Sequence, residues 1–472
     1  MERARRRVAI RKEGDVMPVS RNGKSASAEA TTAPPRLGYV IRFNPDAGNA
    51  GIKRVASAGF RVASSSEFRA AAAVPNDLGG ADVQYFERFG LAVVRETPER
   101  VNPMVSAAME ARTIIGSRAE RTFRALGMPS DAADDDAAVA VAAQDGFGRD
   151  YIRGYRDAVM AMADRLLGGV GGDIGAEGAG EAVAPMVGGG VTWGINVIKA
   201  PLTKLTGAGI KVAILDTGLD DTHPDFKGRA IVKKLFASKS VAGDTHGHGT
   251  HVTGTACGPR TPSRAVVQRY GVAYEAEIYS GKVLGDDGFG TERSILAGMD
   301  WAVDQGCQVI NMSLGSRVRP GEQPDDDYEH VGQICLDAGT LVIAAAGNES
   351  KRHLGMIAPI GAPANCRSIL AVGAIDPAFR PALFSCGGIN PGQEVDLAAP
   401  GVGIMSCKPG GGYATMSGTS MASPHVAGIA ALIAQSDKKY RGWALWARVL
   451  QLVAPIKQPP RDVGKGLAQS PI

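Results

Sequence analysis

The sequence predicts an α/β fold: a doubly wound, mostly parallel sheet with helices on both faces, preceded by a small α+β module. Three observations predict it. After Val191, short apolar runs alternate with helical stretches, the pattern of a parallel sheet covered on both sides. From Gly38, a shorter mixture of strand and helix text stands apart from the rest. Between the two, residues 168–190 hold ten glycines, the composition of a flexible linker and the clearest boundary in the chain.

Taken in order, residues 1–35 are polar, basic and rich in Ala, Ser, Thr and Pro, and read as a disordered tail. Residues 36–130 form the module. In it "YVIRF" reads as a strand, "AGIKRVASAGF" as a helix, and "VQYFERFGLAVVRETPERV" as strand material leading into a further helix. Residues 131–190 begin with the acidic "DAADDDAAVAVAAQD". They continue as an amphipathic helix with Tyr151, Tyr155, Val159, Met162 and Leu166 on one face, and end in the glycine-rich linker. Residues 191–472 carry the α/β domain. "KVAIL", "IYSGKVL", "QVINMSL", "LVIAAAG" and "SILAVGAI" read as strands. "ERSILAGMDWAVDQG", "HVGQICLDAG" and the small-residue run "SMASPHVAGIAALIAQ" read as helices. In such folds chemistry gathers at the carboxyl ends of the strands, and Asp216 and Asn348 each follow one.

Composition excludes several classes of function. With 52 basic and 48 acidic residues the net charge is only +4, so nucleic acid is not an expected partner. The basic start "RARRRVAIRK" is followed by no apolar run, so no secretory signal is expected. "VAGIAALIA" is too short to span a bilayer, which leaves a cytoplasmic or non-classically exported protein and an open location. The six cysteines, Cys257, Cys307, Cys335, Cys366, Cys386 and Cys407, include no CxxC pair and read as buried free thiols.

The chemistry concentrates in four places. "DTHGHGTHVTG" carries His246, His248 and His251 within six residues, a spacing open to a zinc site or to a single general base. Acyl transfer to a serine needs a nucleophile, a base, a carboxylate that orients the base, and donors for the oxyanion. Ser420, at a glycine-flanked helix start, is a candidate nucleophile, although alone such a serine is more often a helix cap, and Ser417 and Ser423 show how little an isolated serine means. Asp216 is the candidate carboxylate, because an aspartate ending a buried strand needs a partner. Asp220, Asp221 and Asp225 read as turn acids. Asn348 is the candidate oxyanion donor, with a plain Gly-Asn turn as the bland alternative.

Together, "VAILDTGLDDTHPDF", "HGTHVTGTACG", "NMSLGS", "AAAGNES" and "SGTSMASPHVAG" resemble, in order, the signature segments of the subtilisin-like serine proteases, from about Trp193 to Ala468. The resemblance implies the subtilisin-like fold, a serine endopeptidase, and an Asp216–His248–Ser420 triad with Asn348 in the oxyanion hole. It implies that Ser313, Leu314, Gly315, Ala346 and Gly347 bind substrate, with Ser313–Gly315 pairing along its backbone. His251, His223 and His425 fall in family-like segments without being the base. Protein or peptide substrates are implied, and no cofactor is required. Many members bind structural calcium through a loop after the histidine segment. Here that loop, "GPRTPSRAVVQRYG", lacks carboxylates, which leaves Asp225 as the single candidate ligand.

The module then reads as an inhibitory propeptide of a zymogen, with the release cut expected in the exposed stretch between about 165 and 192. Glu349, Glu322 and Asp325–Asp327 point to basic substrates. Two other readings stay open: a zinc hydrolase using the histidines of "HGHGTH", and a pseudoprotease that serves as a binding module.

Overall fold

Period-two alternation in the first strands decides how the N-terminal module packs. The computed structural model describes residues 38–70, 80–126, 190–238, 240–264 and 268–472. The predicted tail, acidic segment, amphipathic helix and glycine-rich linker lie outside the described residues. The module comprises β1 (Tyr39–Phe43), α1 (Ala50–Ser57), β2 (Val62–Ser64), α2 (Ser65–Ala70), β3 (Val83–Phe86), β4 (Leu91–Val94), α3 (Pro98–Glu110) and β5 (Ile114–Ala119). Its sheet runs β2-β3-β4-β1-β5, antiparallel except for β2 and β3. Successive side chains of a strand face opposite sides. Ile41 and Val94 therefore pack with Val55, Val101 and Ile114 inside the module. Their neighbours Val40 and Val93 join a different core.

After β5 the chain leaves this sheet and forms β6 (Thr122–Ala125). The larger unit then holds α4 (Trp193–Val197), β7 (Lys211–Asp216), β8 (Ile231–Leu235), α5 (His248–Cys257), β9 (Glu277–Lys282), β10 (Phe289–Thr291) and α6 (Glu292–Asp304). It continues through β11 (Val309–Met312), β12 (Leu314–Gly315), α7 (Asp326–Asp337), β13 (Leu341–Ala345), β14 (Leu370–Ile375), β15 (Leu397–Pro400), β16 (Ile404–Lys408) and β17 (Gly412–Met416). It ends with α8 (Thr419–Ser436), α9 (Gly442–Gln451), β18 (Val453–Ala454), α10 (Pro460–Val463) and β19 (Leu467–Ala468).

Nine strands form one sheet in the order β18-β19-β15-β14-β13-β11-β7-β9-β8. All pairings are parallel except β18 with β19. The chain builds outward from β7 first toward β9 and β8, then returns to lay β11 on the other side. That reversal opens a crevice at the carboxyl ends of β7 and β11, where Asp216 is the last residue of β7. Among the described residues, no helix is long and apolar enough to cross a membrane.

Both faces of the sheet are covered, as the alternation predicts. On one face lie Val252 and Ala256 of α5 with Val426, Ile429 and Leu432 of α8. On the other lie Ile295 and Met299 of α6 with Tyr328 and Val331 of α7, together with Val40, Phe86, Leu91 and Val93 of the module. The module thus shares a core with the larger unit. Helix α8 is buried from Thr419 to Ala434, which explains its small residues. A Cβ at Gly428 would meet Val272 and lie 3.0 Å from the Ala256 carbonyl, so glycine sets the approach of α8 to α5. The six cysteines are free and buried.

Candidate active site

Helix α5 carries the base candidate at its first residue. His248 Nδ1 lies 2.7 Å from Asp216 Oδ1, and both side chains are essentially unexposed. The same oxygen accepts from the Thr217 amide at 2.7 Å. Burial works against an imidazolium here, but the charge and hydrogen bond of Asp216 outweigh it and hold the His248 pKa above the ordinary value.

A residue the sequence reasoning passed over sets this geometry. Asp244 accepts from Thr217 Oγ1 (2.9 Å), the His246 and Gly247 amides (3.1 and 2.8 Å), and Thr250 through both its amide (2.8 Å) and its Oγ1 (2.7 Å). A carboxylate on the free amides of a first turn fixes the start of a helix. Its signal was legible: an aspartate just before a glycine-flanked helix start. Gly249 completes the fit, because a Cβ there would meet the Gly218 carbonyl at 2.2 Å.

The nucleophile candidate stands at the second residue of α8. Ser420 Oγ donates to the Ser313 carbonyl at 3.0 Å rather than to His248. The backbone around it is tied down by a consequence of Pro424, which lacks the N–H that would pair with the Ser420 carbonyl. Ser313 Oγ takes that place at 2.9 Å. The Ser313 hydroxyl also lies 2.9 Å from Ser423 Oγ and accepts from Asn311 Nδ2 at 2.9 Å. Asn348 Oδ1 accepts from the Thr419 amide (2.9 Å) and hydroxyl (2.8 Å), which leaves Nδ2 as the donor end of the amide beside the start of α8. The first-turn amide of Ser420 has no intrahelical partner and can serve as a second donor.

The remaining candidates separate cleanly. His251 Nε2 lies 3.0 and 3.1 Å from the Ile404 and Ala414 carbonyls, tying α5 to the β16–β17 hairpin, and burial pushes its pKa down to about 3. His246 sits edge-on to His248 with ring centroids 6.3 Å apart, and burial and the charge of His248 lower its pKa. His223 accepts from the Asp225 amide, and His425 bonds the Met421 carbonyl at 2.7 Å. His248 and His251 thus have separate hydrogen-bond partners, while His246 meets His248 ring to ring. Among the described residues no His, Cys, Asp and Glu side chains converge as a metal-binding group.

Asp225, the calcium candidate, is surrounded by hydrogen-bond donors. Its carboxylate accepts from the Tyr270 and Tyr413 hydroxyls and from the Ser263 amide. Burial opposes its ionisation, but these hydrogen bonds prevail and keep its pKa below the usual carboxylate value.

The cleft is occupied by the chain itself. Strand β6 lies between β10 and β12, antiparallel to both, with Arg124 opposite Phe289 and Gly315, and Ala125 opposite Leu314. Ala125 N donates to the Gly288 carbonyl at 3.0 Å and Leu126 N to the Ser313 carbonyl at 3.3 Å. The Leu126 carbonyl then lies 3.3 Å from His248 Nε2. Both ring nitrogens of His248 therefore face oxygens, an arrangement that the doubly protonated imidazolium satisfies. Leu126 rests on the backbone of Gly315, where a Cβ would lie 3.0 Å from its Cδ1. Of the predicted substrate-binding residues, Ser313, Leu314 and Gly315 touch this strand. Ala346 and Gly347 pair with Val372, Gly361, Thr419 and Cys386 instead.

Charged contacts flank the strand. Glu292 accepts from the Arg121 amide at 2.9 Å and from Arg118 at 2.8 Å. Arg118 also reaches Asp325 and Asp327. Glu120 returns the arrangement by accepting from the Arg293 amide at the start of α6.

A cleft that grips an extended chain by its backbone, with an aspartate–histidine pair at the end of that chain, is built to act on polypeptide. The comparisons with known proteins say which kind. A family model described as "Subtilase family" matches residues 207–455. Subtilisin BL of Lederbergia lenta is 40% identical over 253 residues, 53% of this chain and 86% of that protein. Subtilisin E of Bacillus subtilis (strain 168) is 39% identical over 246 residues, 52% of this chain and 61% of that protein. Alkaline elastase YaB of Bacillus sp. (strain YaB) is 37% identical over 253 residues, 53% of this chain and 61% of that protein. The chain belongs to the subtilase family of serine peptidases. The module at 38–126 precedes the matched region.

Proposed function

We propose that this protein is a serine endopeptidase made as a self-inhibited zymogen, with Ser420 as nucleophile, His248 as general base and Asp216 as the group that orients it. The observation that carries this reading is β6, a segment of the same chain held in the cleft in the register of a substrate, with Leu126 at the Asp216–His248 pair. In the working state the Ser420 hydroxyl turns from Ser313 to neutral His248, which takes its proton as Oγ attacks the peptide carbonyl. Asn348 Nδ2 and the Ser420 amide stabilise the oxyanion. The proton then passes to the leaving amine, and water releases the acyl group by the same steps in reverse. Asp216 stays ionised throughout and holds the Nδ1–H tautomer.

In this reading residues 38–126 are the inhibitor, and the first cut falls on the carboxyl side of Leu126 rather than in the glycine-rich stretch at 165–192. No calcium is required at Asp225, because its oxygens are already satisfied. The intact mass of the full chain, with and without a serine-directed fluorophosphonate, tests this against Ser420→Ala. The wild type is expected to lose residues 1–126 and take one adduct, and the mutant to do neither. A mutant that processes itself, or a first cut far from Leu126, overturns it.

A further inference from the structure

We propose that Glu349 makes this enzyme select a basic side chain, arginine above all, at the third residue counted back from the cleaved bond. The inference rests on reading β6 as a substrate-like strand and adds to that reading the chemistry of one substrate position. With Leu126 last, Ala125 is second and Arg124 third.

Three observations carry it. First, Arg124 extends from the strand to Glu349, with Nη2 3.2 Å from Oε1. Second, Glu349 is held for this contact by its own unit. Its other oxygen, Oε2, accepts from the Asn348 amide at 2.9 Å and from the Cys386 thiol at 3.2 Å. One carboxylate oxygen is thus spent on the scaffold and the second is presented to the cleft, so little side-chain freedom is lost when a cation arrives. Third, the acid is the sheltered partner. The Glu349 side chain is 7% exposed and that of Arg124 33% exposed, so the charge that must find a partner belongs to the enzyme and the guest stays partly in water.

Arg121, three residues further back, also meets acids, Glu322 at 3.4 Å and Asp325 at 3.6 Å. Both arginines of this segment therefore meet acids. When the module leaves, Glu349 loses this arginine, and a substrate supplying another restores the pair. A glutamate at that position would set two carboxylates against each other.

The test uses the full chain after self-processing, with active sites counted by fluorophosphonate. Three internally quenched peptides carry Thr-Phe-X-Ala-Leu before the cut, with X as Arg, Ala or Glu. A charge-assisted contact with one partner a third exposed is expected to favour Arg over Ala by about fivefold to tenfold in kcat/KM. Glu is expected to fall below Ala. Added salt should shrink the Arg preference. In Glu349→Gln the Arg-to-Ala ratio is expected to approach one. The ratio is the readout because loss of the Asn348 contact would slow both peptides alike. A wild-type ratio near one overturns the proposal even if the variant does not fold, and so does a Gln variant that keeps the wild-type ratio. A processed, labelled enzyme that cuts none of the three peptides sinks the substrate-like reading of β6, and this proposal with it.

Discussion

Two buried aspartates in the same half of the molecule, each beside a histidine, have opposite surroundings. Asp216 faces one imidazole at 2.7 Å and one backbone amide. Asp225 takes two phenols and a backbone amide, and its neighbour His223 turns a ring nitrogen to the Asp225 amide rather than to the carboxylate. Neutral donors satisfy Asp225 permanently. Asp216 has a partner that can become a cation, so its charge matters most when His248 is protonated, which in the proposed mechanism is the moment of proton transfer. Residue type and burial are alike in the two places, and the donors set apart the carboxylate assigned to the proposed triad from the one that is not.

The most direct attempt to break that contrast is to neutralise each acid in turn. Asp216→Asn is expected to lower kcat by about 10⁴, a size of loss known from a subtilisin and from an unrelated triad enzyme, because the amide favours the wrong tautomer of His248. Asp225→Asn is expected to keep kcat near wild type and to lower stability by about 1–3 kcal/mol through weakened buried hydrogen bonds. Active-site-titrated kinetics and thermal melts of both variants separate these outcomes. Equal losses of turnover in the two would erase the distinction drawn here.

The histidines sharpen it further, and titration by NMR in the full chain bearing Ser420→Ala is the measurement. The His248 pKa is expected above 6.5 and to fall once Asp216→Asn is added, because the largest charge opposing burial is then gone. One turn along the same helix, His251 is expected to stay neutral down to about pH 3 in either background. The signs of the linked stability follow. Protonated His248 contributes stability that is fully present below about pH 6.5 and is lost as pH rises through its folded value. His251, and His425 with its pKa lowered to about 4, do the reverse: the unfolded chain takes up protons that the fold refuses, so stability declines as pH falls below about 6.5. Activity needs neutral His248 and should rise through a pKa above 6.5.

The sequence was legible where one residue type in one local pattern determines the outcome. Apolar runs such as "KVAIL" and "SILAVGAI" became central parallel strands, and the small-residue run of α8 became the buried helix that carries Ser420. Asp216 ends β7, His248 begins α5 and Asn348 lies in the loop just past β13, so local pattern placed all three near the carboxyl ends of the strands. What stayed hidden depends on long-range pairing. "IVKKL" became the edge strand β8, whose lysines suit an edge but do not read as a strand. Strand β6 alternates, with Phe123 and Ala125 buried, but over four residues that pattern is too short to read alone, and its partners β10 and β12 lie far along the chain. The tyrosines around Asp225 come from positions 45 and 188 residues away, so no local reading could have shown the acid to be satisfied.

Those tyrosines give the smallest and most discriminating test. Tyr413 donates to Asp225 at 2.9 Å from the β17 strand, so Tyr413→Phe removes one donor and leaves the ring in place. A single hydrogen bond to a buried carboxylate is worth about 1 kcal/mol net, which in a domain of this size shifts Tm by about 2 °C. The informative measurement is that melt with and without millimolar calcium. If neutral donors saturate Asp225, calcium should raise the Tm of the wild type no more than that of Asp225→Asn, since a ligand stabilises the fold only through a site it can enter. A Tm that climbs with calcium in the wild type and not in Asp225→Asn would mean that the ion displaces the phenols. The contrast between the two aspartates would then be one of occupancy rather than of built-in donors.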